Sequence, residues 1–320
     1  MRNKILVTGC AGFVGYHLTK NLLKDYNVVG IDNLNNYYSI KLKKDRLLNL
    51  KSANFKFYKI SILNKKKLNK IFLDNNIQYV FHLAAQAGVR FSLKKPSLYL
   101  KNNIEGFLNI LESCKEFKIK HLIYASSSSV YGNSQKKKLS VFDITNNPNS
   151  IYAVTKKTNE LMAKCYFNLF KLNTTGLRFF TVYGPFGRPD MSLNNFVKNI
   201  IKDKNINLFN NGDHVRSFTY IDDAINQIRQ IFIKILNNKI KKFHVFNVSD
   251  GKSYTLKKYV SVIENILKKK SKKRLMPLQR GDVKKTVADI TYNKKFYSIK
   301  KTTDIKFGIQ KFIDWFKKYY

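Results

Sequence analysis

Tyr152 and Lys156 stand four residues apart in Tyr152-Ala153-Val154-Thr155-Lys156. On a helix such positions share a face, so a phenol and an ammonium can reach one substrate atom. A free tyrosine titrates near 10. Acting as a base near neutral pH asks for about three units of depression, roughly 4 kcal/mol. A neighbouring cation can supply a shift of that kind. The spacing alone carries little weight in a lysine-rich chain. Position adds to it: Ser127 lies 25 residues upstream, in the run Ser126-Ser127-Ser128-Ser129 that ends an apolar stretch. A hydroxyl there can share a proton with the phenol. The alternative use of such a run is a polar loop or a helix cap.

A second group of residues points to a phosphate ligand. Thr8-Gly9-Cys10-Ala11-Gly12-Phe13-Val14-Gly15 follows one short apolar run and opens an amphipathic one. Gly9 can make the tight turn, Gly12 can let the backbone approach a pyrophosphate, and Gly15 can let a helix pack closely. The helix N-terminus then offers amides and a partial positive charge. Asp32 comes about twenty residues on, where an acid takes ribose hydroxyls. A carboxylate there favours NAD over NADP, since it would repel a 2′-phosphate.

These residues need a scaffold that alternates strands and helices. Ile5-Leu6-Val7, Val28 to Ile31, Phe55 to Tyr58, Val80 to Leu83, His121 to Tyr124 and Thr174 to Phe179 read as strands. Helices are predicted over Gly15 to Lys24, Leu63 to Asp74, Pro96 to Lys115 and Ile151 to Phe170. That alternation implies βαβ units and a doubly wound parallel sheet, an α/β fold of Rossmann type. Beyond Thr181 the pattern loosens. Val215 to Tyr220 and Phe243 to Val248 read as strands, and Leu193 to Lys202, Asp222 to Leu236, Leu256 to Lys269 and Ile309 to Tyr319 as helices. The expected organisation is a dinucleotide-binding domain over 1–180, with segments near 215–249 returning to it. A smaller C-terminal α/β domain over 181–212 and 250–320 would hold the substrate.

Composition narrows the class. The 320 residues are 44% hydrophobic and 14% aromatic, enough for a sizeable core. No apolar run approaches the length of a spanning helix, so no membrane is expected. Sixty basic residues against 20 acidic give a formal charge of +40. Only nine of the cations are arginine, and the lysines are spread along the chain. A nucleic-acid surface concentrates arginine and aromatics on one face, so no nucleic-acid partner is expected. Cys10, Cys114 and Cys165 are odd in number and widely spaced. They suggest neither a disulfide framework nor a metal site, and they fit a reducing cytoplasm.

Taken together these residues resemble the extended short-chain dehydrogenase/reductase family. Within it the chain is most similar to the nucleotide-sugar 4-epimerases, and to those that act on UDP-glucuronate. The stretches that carry the likeness are Gly30 to Tyr38, His82 to Arg90, Ser126 to Gly132 and Leu177 to Met191. The resemblance implies NAD held by Gly9, Gly12, Phe13, Val14, Gly15, Asp32, Asn33, Leu83, Ala84, Ala85, Phe179, Tyr152 and Lys156. Tyr152 would take the 4-hydroxyl proton, helped by Ser127 and Lys156, while C4 is oxidised. The 4-keto sugar would turn, and reduction on its other face would complete UDP-galacturonate, a precursor for surface polysaccharide.

The resemblance further implies that Ser128, Ser129 and Thr181 hold the sugar carboxylate, with Arg188 close by. For Arg188 a loop charge partner is the alternative. Arg216 would meet the diphosphate and Asp282 the uridine ribose. Arg90 and Phe209 would lie beside the nucleotide, and Asn103 near the nicotinamide, unless it is a buried helix amide. The family also implies a homodimer through the two long helices. Two positions depart from its pattern: Ser61 stands where aspartate is usual, and Arg280 where proline is usual. Epimerases of neutral UDP-hexoses or UDP-N-acetylhexosamines stay open, because sugar choice rests on few contacts. A UDP-glucuronate decarboxylase also stays open, although it usually has glutamate at the place of Ser129. A 4,6-dehydratase is disfavoured, since serines stand where its acid pair would be. A non-catalytic cofactor-binding regulator is the reading from another class.

Overall fold

The computed structural model describes residues 3–299 and 302–320. Six strands, β1 (Lys4–Thr8), β2 (Asn27–Asp32), β3 (Phe55–Lys59), β4 (Tyr79–His82), β5 (His121–Ser127) and β6 (Thr174–Phe179), join Phe243–Val248 in one parallel sheet. Its order is β3-β2-β1-β4-β5-β6, with Phe243–Val248 outside β6. The order reverses at β1: β2 and β3 add on one side, and the chain then crosses back to place β4 on the other. A ligand crevice opens at such a switch point, beyond the carboxyl ends of the strands.

Alternate residues of each strand feed two cores. Ile5, Val7, Phe81 and Ile123 face α1 (Phe13–Leu22) and the Ile221–Leu236 helix. Leu6, Val80 and Leu122 face α3 (Lys65–Asn75) and the Gly106–Glu116 helix. Both faces are therefore apolar, which is why the strands read as short continuous apolar runs.

The elements differ from expectation at three places. The long helix expected over Pro96 to Lys115 is present and unbroken to Glu116, but it is α-helical over Pro96–Tyr99, π-helical over Leu100–Glu105 and α-helical again over Gly106–Glu116. The reason is lateral bonding at Asn103, whose carbonyl accepts Asn159 Nδ2 at 2.7 Å while its side chain bridges Gln86 and Thr155. The strand expected over Val215 to Tyr220 is two, Val215–Arg216 and Phe218–Tyr220, in different small sheets. Buried Ser217 is the crossing point, donating its amide to Thr286 and giving its carbonyl to Thr181. A helix α2 (Ile40–Leu48), capped by Ser39 Oγ, has no counterpart among the expected elements.

Candidate active site

The glycine turn is locked before any ligand arrives. Gly9 has a φ of +72°, and a Cβ there would lie 2.8 Å from the Ala84 amide nitrogen. A Cβ at Gly15 would fall 2.0 Å from the Gly9 carbonyl oxygen, so α1 can start this close to the sheet only without a side chain. Gly12 caps α1 with no side-chain bond, and the first turn holds no acid. Phe13, Val14 and Gly15, the first residues of α1, line a cavity, where uncapped helix amides can receive an anion. Thr8 and His82 brace the turn from below: their side chains meet at 2.8 Å, and Thr8 Oγ1 also accepts the Ala84 amide. Burial pushes His82 down to about 3, so the imidazole stays neutral.

Asp32 ends β2 with both oxygens engaged. Oδ1 accepts the Leu34 amide at 2.8 Å and Oδ2 the Ala11 amide at 3.2 Å. Burial raises its carboxyl above the ordinary range, against these amides and the Lys43 ammonium. Each oxygen keeps a free lone pair for a ribose hydroxyl.

The Ile151–Phe170 helix carries the proton-transfer pair. Ser150 Oγ accepts the Ala153 amide and starts the helix, so Tyr152 lies in its first turn and Lys156 one turn later. A buried pair fixes this helix to the sheet: Arg178 Nε and an NH2 nitrogen each meet Glu160 at 2.8 Å, and Ser126 Oγ donates to the same carboxylate at 2.6 Å. Lys156 Nζ donates to the Ala125 carbonyl at 2.8 Å and lies 6.0 Å from the Tyr152 ring centre. Burial brings Lys156 down to about 8. Tyr152 responds to burial in the opposite sense. Burial holds the phenol above its ordinary value, and Ser127 and the charge of Arg188 only partly offset it. Arg188 thus adds its charge to whatever Lys156 supplies one turn away.

The glycine turn, Asp32 and the Tyr152–Lys156 pair meet in one cavity of about 280 Å³. Gly9, Gly12, Phe13, Val14, Gly15, Asp32, Asn33, Leu83, Ala84, Ala85 and Phe179 line it together with Ser127, Tyr152, Lys156 and Arg188. Its walls also include Asn35, Tyr37, Tyr38, Lys43, Ile60, Ile62, Gln86 and Asn102, which the sequence reading missed. Lys43 had a signal: it stands three residues before Arg46, and both turn inward from α2. The cavity fits a dinucleotide, with uncapped amides at one end, a ribose-binding acid behind them and the phenol at the far end. Ser61 lies outside it, accepting the Leu63 amide.

A second cavity of about 330 Å³ is lined by Arg90, Thr181, Asp190, Phe209, His214, Arg216 and Asp282, among others. Arg90 lies over the Phe209 ring at 5.1 Å. Arg216 is engaged by Asp282 at 2.9 Å and by the carbonyls of Val215, Val283 and Lys284. Three expected residues line neither cavity. Ser128 and Ser129 sit in a short 3₁₀ turn, where the Ser129 amide donates to Ser127 Oγ. Asn103 is buried with its side-chain amide fully bonded.

The NAD dependent epimerase/dehydratase family matches residues 5–249. The chain belongs to that family. Its glycine turn, Asp32 and Tyr152–Lys156 pair stand within the matched region. Among curated proteins it is 44% identical to Protein CapI of Staphylococcus aureus, covering 99% of each chain. It is 40% identical to the UDP-glucuronate 4-epimerase of Thermodesulfobacterium geofontis, over 98% of this chain and 96% of that one. The UDP-glucuronic acid 4-epimerase of Bacillus cereus, solved with UDP-glucuronic acid and NAD, superposes with a TM-score of 0.94 at 35% identity. It covers 99% of this chain and 100% of that one.

Proposed function

We propose that this epimerase interconverts UDP-glucuronate and UDP-galacturonate with NAD as a resident cofactor. The observation that carries the reading is the single cavity that joins the glycine turn and Asp32 to Ser127, Tyr152 and Lys156. Gly9 to Gly15 would hold the pyrophosphate and Asp32 the adenosine ribose. The cofactor supplies a reversible electron-pair acceptor at C4 of the sugar. Tyr152 removes the proton of the 4-hydroxyl and returns it after the 4-keto sugar has turned, with Ser127 sharing that proton. Lys156 orients the cofactor's ribose and adds positive charge as the phenol ionises. Residues 1–180 with 215–249 would form the cofactor domain, and 181–212 with 250–320 the UDP-sugar domain. Arg90, Phe209, Arg216 and Asp282 would take the nucleotide, and Thr181 and Arg188 the sugar carboxylate, with Ser128 and Ser129 beneath it.

Among the described residues no helix is long and apolar enough to cross a membrane. A cytoplasmic site and a role in surface polysaccharide precursor synthesis complete the reading. A homodimer is proposed through the exposed Leu98, Leu100 and Leu108 beside the exposed Val154 and Leu161 of the Ile151–Phe170 helix. A Leu108→Glu variant should then sediment at half the native mass; an unchanged mass would remove that interface.

The test of function is direct. Purified protein is incubated with UDP-glucuronate without added NAD, and the nucleotide sugars are resolved by anion exchange and NMR. UDP-galacturonate supports the reading. UDP-xylose or a 4-keto pentose would assign a decarboxylase instead. Turnover of UDP-glucose alone would assign a neutral-hexose epimerase.

A further inference from the structure

Arg188 does not face the cofactor cavity as a free cation. Its Nε meets Asp190 Oδ1 at 3.0 Å, and a terminal nitrogen meets Oδ2 at 2.5 Å. Tyr37 reaches over from the loop after β2 and donates its hydroxyl to Asp190 Oδ2 at 3.1 Å. Arg188 lines the cavity that holds Tyr152, while Asp190 lines the cavity that holds Arg216. The pair thus stands where a nucleotide in one cavity would send its sugar into the other.

We propose that Asp190 is an internal competitor for the sugar's carboxylate, and that Arg188 exchanges one carboxylate partner for the other as a hexuronate binds and leaves. The proposal rests on the UDP-glucuronate reading above. Exchange needs solvent access, and the two side chains are 20% and 34% exposed. The Arg178–Glu160 pair, at 4% and 4%, has none and serves the scaffold. Exchange also needs a place for the displaced acid, which Tyr37 provides by keeping a donor on Asp190. A bidentate carboxylate on Arg188 can be replaced by another carboxylate with the same charge-assisted bonds. A neutral hydroxymethyl group cannot restore them. The competitor keeps the grip on the uronate weak enough for the 4-keto ring to turn and the product to leave.

The test is Asp190→Asn in the NAD-loaded enzyme, with binding of UDP-glucuronate and UDP-glucose measured by calorimetry and turnover measured alongside. The expected result is about tenfold tighter binding of UDP-glucuronate, far less change for UDP-glucose, and a fall in both KM and kcat. In an Arg188→Gln background the same change should gain nothing. Weaker binding of UDP-glucuronate, no change, or an equal gain for both sugars would overturn the exchange. Failure of the wild type to turn over UDP-glucuronate would instead defeat the functional reading. The calorimetric comparison would then still decide whether Asp190 competes with a ligand carboxylate.

Discussion

Tyr152 must lose a proton where burial opposes its ionisation. The first turn of a helix and the charge of Arg188 work in the other direction. A Tyr152→Phe variant should keep its bound NAD, read from the nucleotide released on denaturation, and lose about 10³-fold in kcat. Retained turnover would place the base elsewhere. Lys156 makes a second prediction, in stability. Its folded pKa is depressed to about 8 from an ordinary 10.5. The stability tied to its neutral form is therefore present above 10.5 and lost as pH falls through 8, about 3 kcal/mol in all. Lys156→Met removes that loss and one hydrogen bond to Ala125. The cofactor-stripped variant should be about 2 kcal/mol more stable than wild type at pH 7, narrowing by pH 10. Urea unfolding across pH reads the difference. Equal stability at pH 7 would mean that the ammonium is already solvated.

At the scale of elements, α2 shows what the sequence concealed. Ile40-Lys41-Leu42-Lys43-Lys44-Asp45-Arg46-Leu47-Leu48 is so charged that it lacks an apolar stripe. Yet Arg46 is fully buried. Its guanidinium donates to the carbonyls of Ala11 and Phe186 and to the Tyr38 hydroxyl. These bonds tie the glycine turn to the 184–190 loop that carries Arg188. Arg46→Met leaves three acceptors unpaired and should lower stability by about 3 kcal/mol. It should also raise KM for the UDP-sugar, because the Arg188 loop is released. A melting curve with a KM measurement checks both, and normal values for each would dismiss the tie. The strands were legible because a parallel sheet needs apolar runs on both faces, and the glycine turn because its spacing has one steric explanation. Tyr37 and Arg46 were not legible, because what they do is set by Asp190 and Phe186, about 150 residues away. The π segment at Leu100–Glu105 was hidden for a similar reason, since its cause is Asn159 on another helix.

For the whole molecule the charge is the remaining quantity. A formal +40 raises the energy of every compact state through self-repulsion. Surface pairs such as Lys41–Asp45 and Lys257–Asp213 are exposed and contribute little. Salt shortens the Debye length from about 30 Å at 0.01 M to about 10 Å at 0.1 M, so it screens repulsion across the molecule first. The melting temperature should therefore rise by several degrees over that range. The same field draws in an anionic UDP-sugar, so kcat/KM should fall as salt rises while kcat stays level. The two trends oppose each other and share one cause, which makes the pair of measurements more decisive than either alone. If the melting temperature rises and kcat/KM does not fall, the lysine field is diffuse, and capture of the substrate rests on Arg90, Arg188 and Arg216. If neither moves, the lysines are already neutralised by tightly held counterions, and strong retention on heparin at moderate salt would identify a polyanion partner.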